Sequence, residues 1–145
     1  MGAKRAEQQV VIEGPSAACF EELTDYEEIP SWQSTVRSCE VLSRDGDGRG
    51  RTVAWEIDAK VRSLSYTLEY SYDEPHWIGC ALVEGDVRDL DAEYVFEDRE
   101  DGTTLATFSL RVDPGTWVPG RVAQILNDQV MRRSLEDLKR RVEGG

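Results

Sequence analysis

From residue 36 onward the chain alternates apolar and polar side chains in runs that are separated by turn-forming residues about every 8 to 12 positions. The clearest run is 63–72, in which every second residue is Leu or Tyr. Because successive side chains of a strand point to opposite faces, each run predicts a strand with one apolar face. Seven strands are predicted, at about residues 7–13, 36–43, 52–59, 63–72, 76–84, 89–97 and 104–112. The strand at 76–84 carries apolar residues at both parities, so its inward face is left open.

Two other stretches have helical rather than alternating spacing. Residues 16–32 predict two short helical pieces, the first with Ser16 as N-cap and the second ended or kinked by Pro30. Apolar residues from Pro119 to Val142 follow helical spacing for about 36 Å. The single apolar stripe of this long helix must be covered, and the apolar strand faces are the available surface. We therefore predict an α+β fold in which a curved, seven-stranded antiparallel sheet packs its concave face on the C-terminal helix.

Length and composition narrow the class of protein. A chain of 145 residues predicts a single domain, 1–145, with a core from about residue 7 to 142. The net charge of -12 makes nucleic acid an improbable partner. No apolar run is long enough to span a membrane, and no export signal is recognisable, so we expect a cytoplasmic protein. The three cysteines have no metal or disulfide spacing, and no cofactor or metal ion is expected. The oligomeric state is left open.

Several phrases of the sequence occur in the same order in a known family. They are Tyr26-Glu27-Glu28-Ile29-Pro30-Ser31-Trp32, Val83-Glu84-Gly85-Asp86, Asp101-Gly102-Thr103-Thr104, and Val112-Asp113-Pro114-Gly115 followed by Pro119-Gly120. From about Glu7 to Val142 the chain resembles the bacterial polyketide cyclase/dehydrase and coenzyme Q-binding-like branch of the START-like superfamily. This superfamily is also called helix-grip, SRPBCC or birch-pollen-allergen-like. The resemblance implies a cavity between sheet and helix that binds lipids, quinones, hormones or polyketide chains in relatives, without a universal catalytic motif.

Aromatic residues on the predicted concave faces are the candidates for the wall of such a cavity. On the strands these are Trp55, Tyr66, Tyr70, Tyr94 and Phe108, and on the helix opposite they face Ile125 and Leu126. Trp32 follows the two short helices, near the place where the cavity opens in relatives. Gln129 offers an amide midway along the long helix. Each of these residues has an alternative reading as ordinary core or as a helix-edge residue.

Polar candidates for catalysis are few. Arg62 shares the parity of Tyr66, so it points inward unless a bulge intervenes, and the two together could polarise a ligand carbonyl. The alternative is a solvated arginine beside a turn. His76 is the only histidine and lies at a strand start, where we expect it to be exposed. The carboxylates of Asp89 and Asp91 are expected on the outer face.

Three functions are consistent with this sequence. The first is the binding or carriage of a hydrophobic small molecule, such as a lipid, a quinone or a polyketide-like compound. The second is catalysis as a polyketide cyclase or aromatase, with Arg62 and Tyr66 as the weak candidate catalytic residues. The third is a regulatory protein whose groove receives a segment of another protein. The scarcity of titratable groups on the inferred inner faces ranks binding above catalysis.

Overall fold

The structure is a computed structural model that describes residues 5–58, 63–113, 115, 124 and 129–144. The elements are β1 (Arg5–Ile12), α1 (Ser16–Thr24), a 3-10 turn (Tyr26–Glu28), α2 (Ile29–Trp32), β2 (Val36–Arg44), β3 (Gly50–Asp58), β4 (Ser63–Asp73), β5 (Trp77–Gly85), β6 (Asp89–Asp98), β7 (Thr104–Asp113) and α3 (Met131–Gly144). Every predicted strand and both short helices are present. The predicted C-terminal helix is described from Met131 onward, and its earlier part lies mostly outside the described residues.

The seven strands form one antiparallel sheet in the order β1-β7-β6-β5-β4-β3-β2. Chain order is followed from β2 to β7, and β1 then pairs with β7 along its whole length. Helix α3 packs against β1, β7 and α1. The predicted fold, a curved antiparallel sheet that holds a C-terminal helix after two short helices, is confirmed.

The strand register brings the predicted aromatic residues to one face. Trp55 lies opposite Tyr66, and Tyr94 lies opposite Phe108. Since directly paired residues of an antiparallel sheet share a face, these four rings line the concave side together. The periodicity of β3, β4, β6 and β7 therefore predicted the inward face of each strand correctly.

Strand β5, which the sequence left open, has its inward face at Ile78 and Cys80. These residues pair with Tyr94 and Ala92 on β6. Trp77 takes the outer face, where its ring lies over Gly79 so closely that a Cβ on Gly79 would be 2.3 Å from a ring carbon. Trp77 Nε1 donates a hydrogen bond to a Glu93 carboxylate oxygen at 2.8 Å. The sequence shows apolar residues on both faces of β5 because Trp77 covers Gly79 on the outer face.

A register shift between β4 and β5 bends the sheet. Thr67 pairs with Glu84 and Leu68 with Leu82, so that Val83 is the extra residue of a bulge. The bulge is followed by Gly85, whose φ is 152°. A Cβ at this glycine would be 2.6 Å from Tyr66 Cα, so only glycine fits here. The phrase Val83-Glu84-Gly85-Asp86 thus corresponds to a bend of the sheet.

Buried side chains form two clusters beneath the sheet. The closed end consists of Ile12, Cys19, Phe20, Leu23, Ile78, Phe96, Ala106, Leu135 and Leu138. The cavity end consists of Tyr26, Ile29, Val36, Val53, Ile57, Leu64, Leu68, Val87, Leu90, Ala92, Leu110, Val112 and Met131. The closed end lies between α1, α3 and the sheet, and the cavity end lies under β3 to β7 beside the 3-10 turn and α2.

Two local predictions about the short helices were wrong. Ser16 is the first residue of α1 rather than its N-cap, and no side chain of the flanking residue caps the helix. The Asp98 carboxylate accepts the Ser16 N–H at 3.1 Å instead, because the fold brings the end of β6 to this helix. Pro30 lies in the first turn of α2 rather than at a helix end. Proline fits there because the first turn has no intrahelical acceptor for its missing N–H.

Candidate ligand cavity

A cavity of about 100 Å³ lies between the concave face and the start of α3. Its lining residues, mostly apolar or aromatic, are Leu23, Tyr26, Ile29, Gln33, Thr35, Val36, Trp55, Ile57, Tyr66, Leu68, Tyr70, Ile78, Cys80, Leu90, Ala92, Glu93, Tyr94, Phe108, Leu110, Val130, Met131 and Ser134. An apolar cavity of about 150 Å³ accommodates benzene, whereas pockets for drug-sized ligands enclose about 300 to 1,000 Å³. The described cavity is therefore smaller than one that accommodates benzene, and even a single-ring guest needs some of its side chains to move.

Five of the residues singled out from the sequence line this cavity. They are Trp55, Tyr66, Tyr70, Tyr94 and Phe108. All five come from β3, β4, β6 and β7, the strands whose alternation of apolar and polar residues is regular. Their contact with a ligand stays a prediction.

The other candidate residues are not among these lining residues. Trp32 is half-buried and packs against both clusters of the interior. Gln129 is exposed and lines a smaller depression of about 80 Å³. This depression shares Thr35 and Val130 with the cavity, so it borders the cavity wall. Arg62, Ile125 and Leu126 lie outside the described residues.

The aromatic rings of the wall support one another. Tyr94 and Phe108 stack with ring centroids 4.2 Å apart. Tyr70 lies 5.0 Å from Tyr26, and Trp55 meets Tyr26 edge to face at 5.9 Å. Such pairs stabilise a ring arrangement beyond the burial of their area. The wall is therefore an organised aromatic surface centred on Tyr26, a residue that only the family phrase at 26–32 could have drawn attention to.

Hydrogen bonds between hydroxyl groups join the elements that surround the cavity end at two places. Tyr94 Oη and Ser134 Oγ lie 2.9 Å apart and join β6 to α3. Tyr72 Oη donates to the Gly50 carbonyl, so its hydrogen bond with Tyr26 Oη, at 2.7 Å, has Tyr26 as donor. Through Tyr72 on β4, these two hydrogen bonds join the 3-10 turn to the start of β3. Burial raises the pKa of Tyr72 to about 12, so both protons of the chain stay in place near neutral pH.

A buried carboxylate of α3 fixes the segment that follows α2. The Asp137 side chain is 2% exposed, and its Oδ2 accepts hydrogen bonds from the Ser34 backbone N–H and hydroxyl, both at 2.9 Å. Its other oxygen accepts from Arg140 at 3.0 Å. Gln33 immediately precedes Ser34, so Asp137 holds the chain on which Gln33 enters the cavity wall. Asp137 and Gln33 carry no periodic signal by which the sequence could reveal this role.

Two N–H donors of the cavity wall are buried without a partner. They are Trp55 Nε1 and Gln33 Nε2. Gln33 is 6% exposed, and both residues line the cavity. Buried donors are almost always paired in folded proteins, and an unpaired one destabilises the fold. Trp32 Nε1 is also buried without a partner, but Trp32 is not a lining residue. An acceptor bound in the cavity could satisfy only the two donors of the wall.

The tyrosines and Cys80 of the described cavity wall are held in their neutral forms. Burial is the largest cause that raises the pKa values of Tyr26, Tyr66, Tyr70 and Tyr94, and it raises that of Cys80 to about 12. Glu93 is the one acidic residue of the described wall, and its carboxylate bonds Trp77 on the outer face. The described wall is therefore an uncharged surface with hydroxyl and N–H donors.

The remaining polar candidates lie away from the cavity. Asp89 and Asp91 both bind Arg111 on the outer face, and Asp91 also binds Arg5. His76 is exposed, as expected, and its Nε2 lies 3.0 Å from an Asp98 carboxylate oxygen. Over the described residues, no three His, Cys, Asp or Glu side chains come together as metal ligands would. None of the described helices has the length and apolar character needed to cross a bilayer.

The sheet, the C-terminal helix and the cavity between them define a protein of the helix-grip class. The model of the family described as polyketide cyclase/dehydrase and lipid transport matches residues 3–143, and the chain belongs to this family. The START-like assignment made from the sequence is thereby confirmed. No curated protein sequence matches the chain.

Solved structures of the same fold include proteins of different kinds. A START superfamily protein from Mycobacterium smegmatis matches with a TM-score of 0.86 and 21% identity over 97% of each chain. A protein from Thermus thermophilus matches with a TM-score of 0.83 and 20% identity over 96% of this chain and 97% of its own. An aromatase/cyclase from Streptomyces sp. R1128 matches with a TM-score of 0.77 and 18% identity over 97% of this chain and 92% of its own. At these identities the similarity shows a shared fold.

Proposed function

We propose that this protein binds a hydrophobic small molecule in the cavity between the sheet and α3. The observation that carries the proposal is the cavity itself, about 100 Å³ of space lined by stacked aromatic rings and aliphatic side chains. Fold stability alone favours a filled interior, because an empty apolar volume forfeits packing contacts. A guest that fills the volume recovers those contacts, which gives the cavity a binding free energy for apolar molecules.

The chemistry of the wall supports binding above catalysis. A general base must be able to take a proton near neutral pH, yet burial keeps the described tyrosines and Cys80 of the wall protonated. These groups donate hydrogen bonds and orient a guest without transferring protons. Membership of a family that includes cyclases keeps the cyclase reading as an alternative, in which Arg62 supplies the charge that the described wall lacks.

The depression around Gln129 suggests the entrance to the cavity. Thr35 and Val130 line both volumes, so the depression and the cavity adjoin each other at these two side chains. Arg133 and Asp58 give the outer rim a polar character. An apolar guest would pass this rim between the start of β2 and α3.

The first test is to fill the cavity and measure the binding of a small neutral aromatic probe, toluene, by NMR titration. Ala92 lines the cavity from β6, and Ala92→Leu places extra methyl groups in the free volume. We expect probe affinity to fall about tenfold, since overpacking then opposes the guest. The matched control is Ala81→Leu, the same substitution at an exposed position on the outer face of β5, which is expected to keep the affinity of the unchanged protein.

Native mass spectrometry of the purified protein supplies a second, independent measurement. We expect a mass increment that disappears on denaturation and is smaller in Ala92→Leu. Equal probe affinities in Ala92→Leu and Ala81→Leu would place the probe elsewhere on the surface. The absence of both probe binding and a co-purified guest would contradict the proposal.

A further inference from the structure

The two buried donors without partners in the cavity wall determine which kind of ligand atom can bind them. An indole N–H can only donate a hydrogen bond, so the group that satisfies Trp55 must be an acceptor. The Gln33 amide adds a second donor to the same wall. The outer face shows how this fold satisfies an indole when it supplies the partner itself, since Trp77 donates to Glu93. At Trp55 the described chain supplies none.

The charge of the described wall indicates whether the acceptor belongs to a neutral or to a charged group. A carboxylate or phosphate is also an acceptor, but its burial is unfavourable unless a cation or several donors compensate it. The only charged lining residue of the described chain, Glu93, is acidic and has its carboxylate on the outer face. Burial therefore favours a neutral acceptor, and a carbonyl oxygen with its two lone pairs can accept from two donors at once.

The neighbours of Trp55 define the rest of the ligand. Its ring meets those of Tyr26 and Tyr70, and it lies opposite Tyr66 across the strand pair. A single flat ring matches this aromatic surface and is closer in size to the cavity of about 100 Å³ than any larger guest. An aliphatic chain of the same volume would forgo the ring contacts.

We infer that the ligand presents to this cavity a neutral, ring-sized apolar group with a carbonyl oxygen, which accepts hydrogen bonds from Trp55 Nε1 and Gln33 Nε2. The inference rests on the proposed function and deepens it. The sequence offered Gln129 as a candidate for an amide contact with the ligand, whereas the buried amide of the described cavity wall belongs to Gln33, one turn beyond the start of α2.

Two probes of almost the same shape isolate the carbonyl. Acetophenone and α-methylstyrene differ only in having C=O or C=CH2 beside the ring. Their affinities are measured by NMR titration of the unchanged protein, of Trp55→Phe and of Gln33→Met. Both substitutions remove the donor and leave an apolar side chain in its place. We expect each variant to lower the ratio of acetophenone to α-methylstyrene affinity, by up to about tenfold for Trp55→Phe. The ratio cancels any change in cavity volume that both probes feel.

A second readout is recorded on the unchanged protein. The indole N–H proton of Trp55 gives its own NMR signal, assigned by its absence from Trp55→Phe. Acetophenone is expected to shift this signal downfield as the hydrogen bond forms, and α-methylstyrene is not. Trp77→Phe is the control, because it removes an indole on the outer face that Glu93 already satisfies. The control is expected to leave both affinities and their ratio unchanged.

The outcomes separate the inference from the function on which it rests. Binding of both probes with the same ratio in all proteins, and no selective indole shift, would overturn the carbonyl inference and leave hydrophobic binding standing. Binding of neither probe would overturn both. A lowered ratio in Trp55→Phe and Gln33→Met, together with the downfield shift, would support the inference.

Discussion

The closed end and the cavity end are built by the same sheet but are held together by different means. At the closed end, Ile12, Cys19, Ala106 and Leu138 have no exposed surface, and apolar packing joins α1 and α3 to the strands. At the cavity end Val53, Leu64 and Met131 are also fully buried, and polar contacts add to this packing. Asp137 joins α3 to the segment after α2 through Ser34, and Ser134 joins α3 to β6 through Tyr94. The comparison teaches that one sheet can combine an end filled by its own side chains with an end that leaves space for a guest.

This division has a physical basis in what each contact requires. Apolar packing is strong only when the volume is filled, because dispersion is lost across even a small gap. A hydrogen bond needs only its two partners at the right distance, and it can close a wall around an empty volume. Leu23 and Ile78 belong to the closed end and also line the cavity, so the filled core directly adjoins the volume left for a guest.

The largest expected effect compares one leucine from each end. Leu138→Ala at the closed end is expected to lower the free energy of unfolding by about 4 kcal/mol. Leu90→Ala in the cavity wall is expected to lower it by only about 2 kcal/mol, because Leu90 already faces free space. Chemical denaturation of both variants measures the difference. Equal losses would mean that both ends are packed alike.

The next effect concerns the polar closure of the cavity end. Asp137→Asn is expected to lower the free energy of unfolding by about 2 kcal/mol, because an amide is a weaker partner for the Ser34 N–H and hydroxyl. The matched control is Glu136→Gln, the same change at an exposed neighbour on α3, with an expected effect within about 0.5 kcal/mol. Similar values for the two variants would show that Asp137 does not hold this wall.

Acid should weaken the closed end through Asp98. His76 and the Ser16 N–H lower the pKa of this carboxyl group below its ordinary value of 3.8. A lowered folded-state pKa contributes stability that is present above the unfolded value and lost as the pH falls through the folded value. We therefore expect the free energy of unfolding to decline below about pH 4, and Asp98→Asn to reduce this decline.

The measurement for Asp98 is chemical denaturation at a series of acidic pH values. Glu97→Gln, at the neighbouring exposed carboxylate on β6, should keep the acid profile of the unchanged protein. If the free energies of unfolding of Asp98→Asn and of the unchanged protein decline in parallel as the pH falls, Asp98 does not stabilise the start of α1.

The smallest effect leaves stability unchanged and reports only on access. Burial raises the pKa of Cys19 at the closed end to about 11 and that of Cys80 in the cavity wall to about 12. Both thiols are therefore protonated at about pH 8, and opening of the structure limits their alkylation. We expect Cys80 to react before Cys19 with a small alkylating reagent, as followed by peptide mass mapping. Faster reaction of Cys19 would reverse the assignment of the two ends.

The predictable part of this protein is the part that repeats along the chain. The periods of two and of about 3.6 residues predicted the strands, the short helices and the described part of the C-terminal helix. They also placed Trp55, Tyr66 and Tyr94 on the concave face, because parity within a strand is a local property. The family resemblance added the cavity as an expectation, since relatives share the arrangement of elements.

Tertiary structure alone decided the features that join distant parts of the chain. In β5, the ring of Trp77 lies over Gly79 on the outer face, which places Ile78 and Cys80 inward. The first N–H of α1 donates a hydrogen bond to Asp98 on β6. The unsatisfied donors of Trp55 and Gln33 became visible only once every neighbouring partner was placed. A cavity is the volume that all the side chains together leave unfilled, and no local pattern records such a remainder.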